Sequence, residues 1–265
     1  MKTMITEQLA DSPIVYYKET ASNGDWALFL HAAFVTHEMF CEQIKALRTT
    51  YRILTLDIIG HGASTKTGRK DRLGHMSRWI KEILDKESID RIHVVGVSLG
   101  AVLAQDFANH YPQRVLSLAC FGGYDINRFD PKLQKENGLK QMGMMMKAIF
   151  SVSWFAKANR HISAYTPQAQ EAFYKMNLSF PKSSFRYLAS ISRMVNVFPP
   201  HKRTYPLLIG CGEHDIPTEI TAVKMWKQDE PEAYMVILKD AGHCVNMDVP
   251  QAFHQLMHQF WQSAS

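Results

Sequence analysis

Residues 92–103 read Ile-His-Val-Val-Gly-Val-Ser-Leu-Gly-Ala-Val-Leu, an apolar run of β-favouring residues that reaches a serine and continues in helix-favouring residues. This serine, Ser98, lies between Gly96 and Gly100 in a G-x-S-x-G pattern. A serine on a tight turn from strand to helix is held in a strained conformation that exposes its Oγ atom. The absence of side chains at the two glycines leaves room for such a turn. Ser98 is therefore a candidate nucleophile.

A nucleophilic serine needs a base and an orienting carboxylate, and both occur later in the chain. Residues 206–217 run from a short apolar stretch into a polar turn that contains Asp215. Residues 234–243 repeat this design and end on His243. Each of the three side chains thus follows a different predicted strand. The sequence predicts a catalytic triad of Ser98, His243 and Asp215.

Strand-like and helix-like segments alternate through most of the chain, as a parallel sheet with crossover helices requires. The predicted strands are Trp26–Leu30, Tyr51–Leu56, Ile92–Val95, Val115–Phe121, the run before Asp215 and Tyr234–Leu238, with an antiparallel start at Thr6–Leu9 and Ile14–Lys18. The predicted helices between them are Met39–Leu47, Met76–Lys86, Leu99–His110, Thr218–Trp226 and Gln251–Gln262. We expect an α/β fold with a mostly parallel, doubly wound sheet of about eight strands.

The alternation stops between Tyr124 and about Pro200, where the residues favour helices. The helices expected there are Leu133–Phe150, Ser153–His161, Pro167–Leu178 and Ser183–Val195. We interpret residues 124–200 as an inserted helical cap, and residues 1–123 with 201–265 as the core domain.

Four motifs in this order resemble the α/β-hydrolase superfamily, in its esterase and lipase-like branch with a helical cap. They are Leu30-His31-Ala32-Ala33, the glycine turn from Asp57 to Ser64, the turn at Ser98, and the endings Gly212-Glu-His-Asp215 and Gly242-His243. The resemblance covers nearly the whole chain. It implies that the cap roofs the active site and that Asp57 belongs to a structural turn. Because some members carry the triad acid where Asp125 stands, Asp125 remains a rival to Asp215.

An oxyanion hole needs two backbone N–H groups aimed at the developing negative charge. Leu99, directly after the candidate nucleophile, supplies one. The resemblance implies that Ala33 supplies the other, with its neighbour Phe34 as a substitute. The family pattern is usually His-Gly, whereas Ala32 follows His31 here. Since glycine takes backbone angles that alanine resists, this loop is where the chain departs from the family.

The predicted cap contains an apolar stretch, Gln141–Phe150, with several methionines. Such residues either pack helices together or line an adaptable hydrophobic pocket, because methionine fills irregular space. We expect Met144, Met145 and Trp154 of the cap, with Phe34 of the oxyanion loop, to bind substrate.

The composition indicates which classes of binding partner and which cellular location to expect. The chain has 265 residues and a net charge of +5, and its basic cluster, Lys66, Arg69, Lys70 and Arg72, lacks interleaved aromatic residues, so nucleic acid is not an expected partner. The four cysteines are far apart, and no metal or cofactor is needed. Neither a signal peptide nor a run long enough to span a membrane is visible, so a cytoplasmic location is expected. Association as a homodimer is left open.

These residues predict a carboxylesterase-like serine hydrolase that acts on a small hydrophobic ester, lactone or thioester through an acyl-enzyme. A carbon–carbon bond hydrolase of a diketone-like ring-cleavage product would use the same triad. A receptor that binds a small ligand and turns over slowly could use the same fold. A lyase or acyl transferase is the third alternative.

Overall fold

The computed structural model describes residues 4–129 and 151–264. The described residues contain one sheet of eight strands in the order β1-β2-β4-β3-β5-β6-β7-β8. β1 and β2 are antiparallel to their neighbours, and all other pairs are parallel. This confirms the expected fold class. The strands are β1 (Ile5–Gln8), β2 (Val15–Glu19), β3 (Trp26–Leu30), β4 (Arg52–Leu56), β5 (Ile92–Val97), β6 (Val115–Phe121), β7 (Leu207–Gly212) and β8 (Tyr234–Leu238).

Helices pack on both faces of the sheet. The helices that join or follow the strands are α1 (Cys41–Leu47), α2 (Met76–Lys86), α3 (Leu99–His110), α7 (Pro217–Asp229), α8 (Val245–Asp248) and α9 (Pro250–Ala264). One hydrophobic cluster contains buried residues of α2, α3 and α7, and the other contains buried residues of α1 and α9. Two covered faces explain why β5 is buried at every position and has a nearly continuous apolar sequence.

The segment between β6 and β7, here called the helical insertion, holds α4 (Val152–Ser163), α5 (Pro167–Leu178) and α6 (Phe185–Leu188). The predicted helix Leu133–Phe150 lies outside the described residues. The prediction of one helix over Ser183–Val195 is wrong, because this stretch consists of α6 and two short 3-10 turns. Ser190 donates its hydroxyl to the carbonyl oxygen of Tyr187, and such local bonds compete with a continuous helix.

Elements at the carboxyl ends of the parallel strands face the helical insertion. Phe155 of α4 contacts Phe34, which follows β3, and the backbone N–H of Cys244, after β8, donates to the carbonyl oxygen of Ser163. The insertion is therefore attached to the loops that follow the strands. Within residues 4–129 and 151–264, no helix has the length and apolar character needed to cross a bilayer.

Candidate active site

Ser98 occupies the turn between β5 and α3. Its backbone has φ 55° and ψ −116°, a strained conformation for a residue with a side chain. A Cβ atom at Gly96 would lie 2.2 Å from the carbonyl oxygen of Gly100, and a Cβ atom at Gly100 would lie 1.9 Å from that of Leu30. Only glycine fits such close approaches of backbone. The G-x-S-x-G spacing therefore has the steric cause expected from the sequence.

Hydrogen bonds join the three residues of the predicted triad. His243 Nε2 lies 2.8 Å from Ser98 Oγ, and His243 Nδ1 lies 2.8 Å from Asp215 Oδ1. The backbone N–H of Ile216 donates to the same Asp215 oxygen at 2.6 Å. A neutral imidazole carries one proton, and the carboxylate holds it at Nδ1. The lone pair of Nε2 is then directed at the Ser98 hydroxyl.

The surroundings of His243 make its imidazole a strong base. Burial lowers the pKa of His243, but the charge and hydrogen bond of Asp215, together with the charge of Glu219, outweigh burial and raise this pKa above the usual 6.5. The ring therefore takes up a proton readily. It must be neutral before it can accept the proton of Ser98, so a reaction that uses it as a base gains rate as the pH rises.

The sequence analysis predicts two backbone N–H groups as oxyanion donors, those of Leu99 and Ala33. Within the described parts of the chain, neither the Leu99 nor the Ala33 N–H donates a hydrogen bond. Leu99 begins α3, where N–H groups have no partner in the helix. The loop at Ala33 is held by His31, whose Nε2 accepts from the Ile58 N–H and whose Nδ1 donates to the carbonyl oxygen of Ala32. Burial lowers the pKa of His31 to about 4, which keeps the ring neutral for both bonds.

The oxyanion loop has its left-handed residue at Phe34, with φ 69°, and not at Ala32. The Ala32 N–H donates to the thioether sulfur of Met39 at 3.2 Å. The alanine at the family's glycine position therefore needs no glycine-like angle. The backbone strain of this loop falls on Phe34.

A family model described as alpha/beta hydrolase fold matches residues 26–250 of this chain. The chain belongs to the α/β-hydrolase fold family. Membership explains the shared order of strands and loops. It also accounts for the position of Ser98, Asp215 and His243 after three different strands of one sheet.

Named relatives of this α/β hydrolase differ in length. The dihydrolipoyllysine-residue acetyltransferase component of an acetoin cleaving system from Pseudomonas putida is 26% identical over 232 residues, which cover 81% of this chain and 57% of that protein. This chain therefore spans little more than half of that relative. 3-Oxoadipate enol-lactonase 1 from Acinetobacter baylyi is 24% identical, and the match covers 91% of this chain and 90% of the relative.

Among solved structures, the enol-lactonase from Burkholderia xenovorans LB400 matches with a TM-score of 0.80 at 18% identity. The match covers 97% of this chain and 100% of the other. At that identity the likeness shows the fold. The family and the names of the curated relatives together support a hydrolase.

The rival acid of this α/β hydrolase, Asp125, is engaged elsewhere. Its carboxylate lies 3.7 Å from the guanidinium of Arg203 and accepts the N–H of Asn127. Arg203 also binds both carboxylate oxygens of Glu230. The carboxylate in contact with His243 is that of Asp215, so the structure favours the acid that the sequence analysis selected.

Asp57 lies in a network of its own at the glycine turn. It accepts hydrogen bonds from the backbone N–H and ring of His37, from the Tyr17 hydroxyl and from the Ala63 N–H. Burial alone would raise the pKa of Asp57, but the bond and charge of His37 outweigh it and lower this pKa. These contacts fit a carboxylate that fixes a turn.

The aromatic ring of Phe34 packs against three others of the helical insertion. The ring centroids of Phe155, Phe180 and Phe185 lie 4.8, 5.2 and 5.6 Å from that of Phe34. We call these four residues the aromatic cluster. Trp154, expected to bind substrate, is 53% exposed, and the next residue, Phe155, contacts Phe34. Met144 and Met145 lie outside the described residues.

One group of side chains in the described chain has the spacing of metal ligands: Glu213, His214 and Asp240. All three are exposed, and His214 stacks on Tyr165. Exposed acidic residues commonly lie together without a metal, so this group carries no functional argument. The cysteines Cys41, Cys120, Cys211 and Cys244 are free thiols.

Sequence reasoning missed several residues that support the site. Phe180 and Phe185 complete the aromatic cluster, Met39 holds the oxyanion loop, and Asp248 accepts the N–H of Gly242 beside His243. Asp248 lies five residues after His243, but its partners Tyr165 and Thr166 lie more than 80 residues earlier in the chain. The contacts of Phe180 and Phe185 join distant parts of the chain and leave no local pattern.

Proposed function

We propose that this α/β hydrolase is a serine esterase that cleaves small carboxylic esters, lactones among them, through an acyl-enzyme. The hydrogen-bonded series Ser98–His243–Asp215, with Ser98 on a strained turn, carries the proposal. The strained turn holds the Ser98 hydroxyl clear of the backbone, His243 Nε2 is directed at this hydroxyl, and the Asp215 carboxylate fixes the orientation of the imidazole. This arrangement fits nucleophilic attack by an activated hydroxyl.

In the first step Ser98 Oγ attacks the carbonyl carbon while His243 Nε2 takes the hydroxyl proton. Asp215 stabilises the positive charge that forms on the imidazole. The carbonyl oxygen becomes negatively charged, and the backbone N–H groups of Leu99 and Ala33 are the donors proposed to hold it. Loss of one such donor typically slows an enzyme by about 100-fold to 1,000-fold.

In the second step His243 gives its proton to the leaving alkoxide, and the bond between the carbonyl carbon and that oxygen breaks. An ester releases an alcohol, whereas a lactone opens and keeps its hydroxyl on the acyl group. Water, deprotonated by His243, then attacks the acyl-enzyme. Ser98 recovers its proton as the carboxylic acid leaves.

The substrate class rests on the aromatic cluster and on one relative. Phe34 is the residue after the proposed oxyanion donor Ala33, and its ring lies among the apolar rings of the aromatic cluster, which we propose as the surface that receives the substrate. This favours a substrate with a hydrophobic group of short to medium length. The enol-lactonase, which matches over 90% of its length, makes lactones a natural extension of the ester class. The acetyltransferase component is a protein of which this chain spans 57%, so its name does not support an acetyltransferase activity for this chain.

Hydrolysis of p-nitrophenyl esters from acetate to decanoate tests the proposal on wild type and on Ser98→Ala. We expect turnover by wild type, an optimum among the shorter chains, and no turnover by the variant above the uncatalysed rate. An unchanged rate in Ser98→Ala would exclude Ser98 as the nucleophile. If wild type hydrolysed none of these esters, the proposal of an esterase would be overturned. A diketone substrate would then test for carbon–carbon bond hydrolysis.

The choice of acid has a matched test in Asp215→Asn and Asp125→Asn. Loss of the carboxylate that orients the base in a serine triad costs about 10,000-fold in rate. We expect a loss of that order in Asp215→Asn, and a rate per folded molecule close to wild type in Asp125→Asn. Circular dichroism gives the folded fraction. The reverse order of effects would identify Asp125 as the acid.

A further inference from the structure

The carboxylate of Asp248 lies between the His243 loop and the segment Ser163–Thr166, which joins α4 to α5. On the side of the His243 loop, Asp248 Oδ2 accepts the N–H of Gly242 at 2.9 Å. On the side of the helical insertion, Oδ1 accepts the N–H and the hydroxyl of Thr166 at 2.7 and 2.9 Å. The Tyr165 N–H lies 3.0 Å from both oxygens. One buried carboxylate therefore ties two distant segments together.

Four donors compensate the burial of this charge. Asp248 is 8% exposed, and three of its donors are backbone N–H groups. Thr166 is also the N-cap of α5, so the carboxylate lies at the end of that helix where negative charge is favourable. Hydrogen bonds between a carboxylate and N–H groups are among the stronger ones in proteins. These hydrogen bonds therefore stabilise the link between the two segments.

The contact holds His243 from both sides along the chain. Gly242, the residue before it, donates to Asp248, and Cys244, the residue after it, donates to the carbonyl oxygen of Ser163 at 2.7 Å. Tyr165 of the same segment stacks on His214, with ring centroids 3.9 Å apart. Asp215 follows His214 directly. The segment Ser163–Thr166 thus contacts the backbone that carries the base and the side chain beside the acid.

We propose that Asp248 is a positioning residue that fixes the His243 imidazole against Ser98 and couples it to the position of the helical insertion. The inference rests on the proposed function, because it assigns a role in proton transfer from Ser98. Asp248 contacts no reacting atom and acts through the backbone of Gly242. A movement of the insertion is transmitted to the base through this carboxylate.

Asp248→Asn is the sharpest perturbation, since the side chain keeps its shape but one oxygen becomes an NH₂ group. That group faces either the Gly242 N–H or the donors of Tyr165 and Thr166, so one side of the link is lost. A displacement of about 1 Å in a catalytic group costs on the order of 100-fold in rate. We expect the kcat for a p-nitrophenyl ester to fall about 10-fold to 100-fold, with little change in KM.

A second readout is the rate at which a fluorophosphonate labels Ser98, which requires the activated serine but not the natural substrate. We expect this rate to fall in parallel with kcat in Asp248→Asn and to recover partly in Asp248→Glu, which restores the charge. Thr166→Val removes one donor and leaves the carboxylate in place, so we expect a smaller loss of the same kind. The matched control is Asp106→Asn, at another buried carboxylate, which accepts from Ser77.

The outcomes separate the two claims. If wild type is not labelled, the proposed function fails and the inference fails with it. If wild type is labelled and Asp248→Asn is labelled at the same rate, with the same kcat, the inference alone is overturned. If Asp248→Asn does not fold, Thr166→Val decides: an unchanged labelling rate and kcat would overturn the inference, and a parallel loss in both would support it.

Discussion

Two turns next to the proposed reaction centre carry backbone strain, and they are held in different ways. At Ser98, with φ 55°, Gly96 and Gly100 leave space for the neighbouring backbone. At Phe34, with φ 69°, a bulky residue takes the left-handed conformation, and its ring packs against the rings of Phe155, Phe180 and Phe185. The first turn depends on two glycines, which have no side chain, and the second turn depends on the packing of large aromatic side chains.

The difference shows how strain at a site becomes visible in a sequence. A left-handed residue costs on the order of 1–2 kcal/mol, which other contacts must offset. Where glycines make the room, their spacing appears in the sequence. Where tertiary packing supplies the compensation, as at Phe34, the strained residue cannot be distinguished from any other phenylalanine. The predicted oxyanion loop therefore has alanine at the family's usual glycine position and places its left-handed residue at Phe34.

The largest effect is expected from Gly100→Ala, which disrupts the turn at Ser98. The new Cβ atom would lie 1.9 Å from the carbonyl oxygen of Leu30, so β3 and α3 must separate. We expect a destabilisation of more than about 3 kcal/mol and loss of ester hydrolysis. The control is Gly74→Ala, whose Cβ atom would meet nothing within 4 Å. Urea unfolding and hydrolysis rates measure both variants; a stable, active Gly100→Ala would refute the steric account.

Phe34→Ala and Phe34→Gly test the second turn. Phe34 is partly buried, and both variants lose its ring contacts, but only glycine also relieves the left-handed angle. We expect Phe34→Gly to be more stable than Phe34→Ala by about 1 kcal/mol. At Phe185, which begins the helix α6, the order should reverse, because glycine is a poorer helix former than alanine. Thermal unfolding of the four variants measures the order, and equal stabilities at position 34 would argue against strain there.

Met39→Leu weakens the oxyanion loop without touching either strained residue. Leucine keeps the volume but cannot accept the N–H of Ala32, and a buried unpaired donor costs about 1 kcal/mol or more. We expect that loss of stability together with a several-fold lower kcat. Met257→Leu is the matched control, since Met257 is fully buried in α9. Equal behaviour of the two variants would mean that the sulfur contact does not hold the loop.

Glu219→Gln should have the smallest effect, because it changes charge and leaves both turns intact. The negative charge of Glu219 raises the pKa of His243, so its removal lowers that pKa. The imidazole then becomes neutral at a lower pH, and the acid limb of kcat/KM moves down by a few tenths of a pH unit. Glu213→Gln, at an exposed glutamate on the turn before Asp215, is the control. A shift to higher pH in Glu219→Gln would contradict the electrostatic account.

Predictions from the sequence were accurate where a local rule determines the structure. The bounds of α2 and α3 agree with the predicted helices, and the alternation of segments predicted a mostly parallel sheet of about eight strands, as the structure has it. The turn at Ser98 was predictable from two glycines. The prediction of one helix over Ser183–Val195 was wrong. Hydrogen bonds from serine hydroxyls compete with a continuous helix, and Ser190 donates such a bond to the carbonyl oxygen of Tyr187.

The supports of the site could not be derived in the same way. Asp248 and Thr166 are 82 residues apart, and the ring of Phe34 meets residues more than 100 positions later. No periodicity records contacts between such distant positions. The polar side chains of the site follow strands and can be found by pattern, whereas the contacts that hold their loops become visible only in the folded chain.

Mass-spectrometric mapping of a fluorophosphonate adduct is the most direct test of Ser98 as an activated nucleophile. Wild type and Ser98→Ala are treated in parallel, and the adducts are located on proteolytic peptides. The account predicts one adduct per wild-type molecule on the peptide that contains Ser98, and no corresponding adduct in the variant. Labelling of another residue in wild type, or no labelling at Ser98, would contradict the triad.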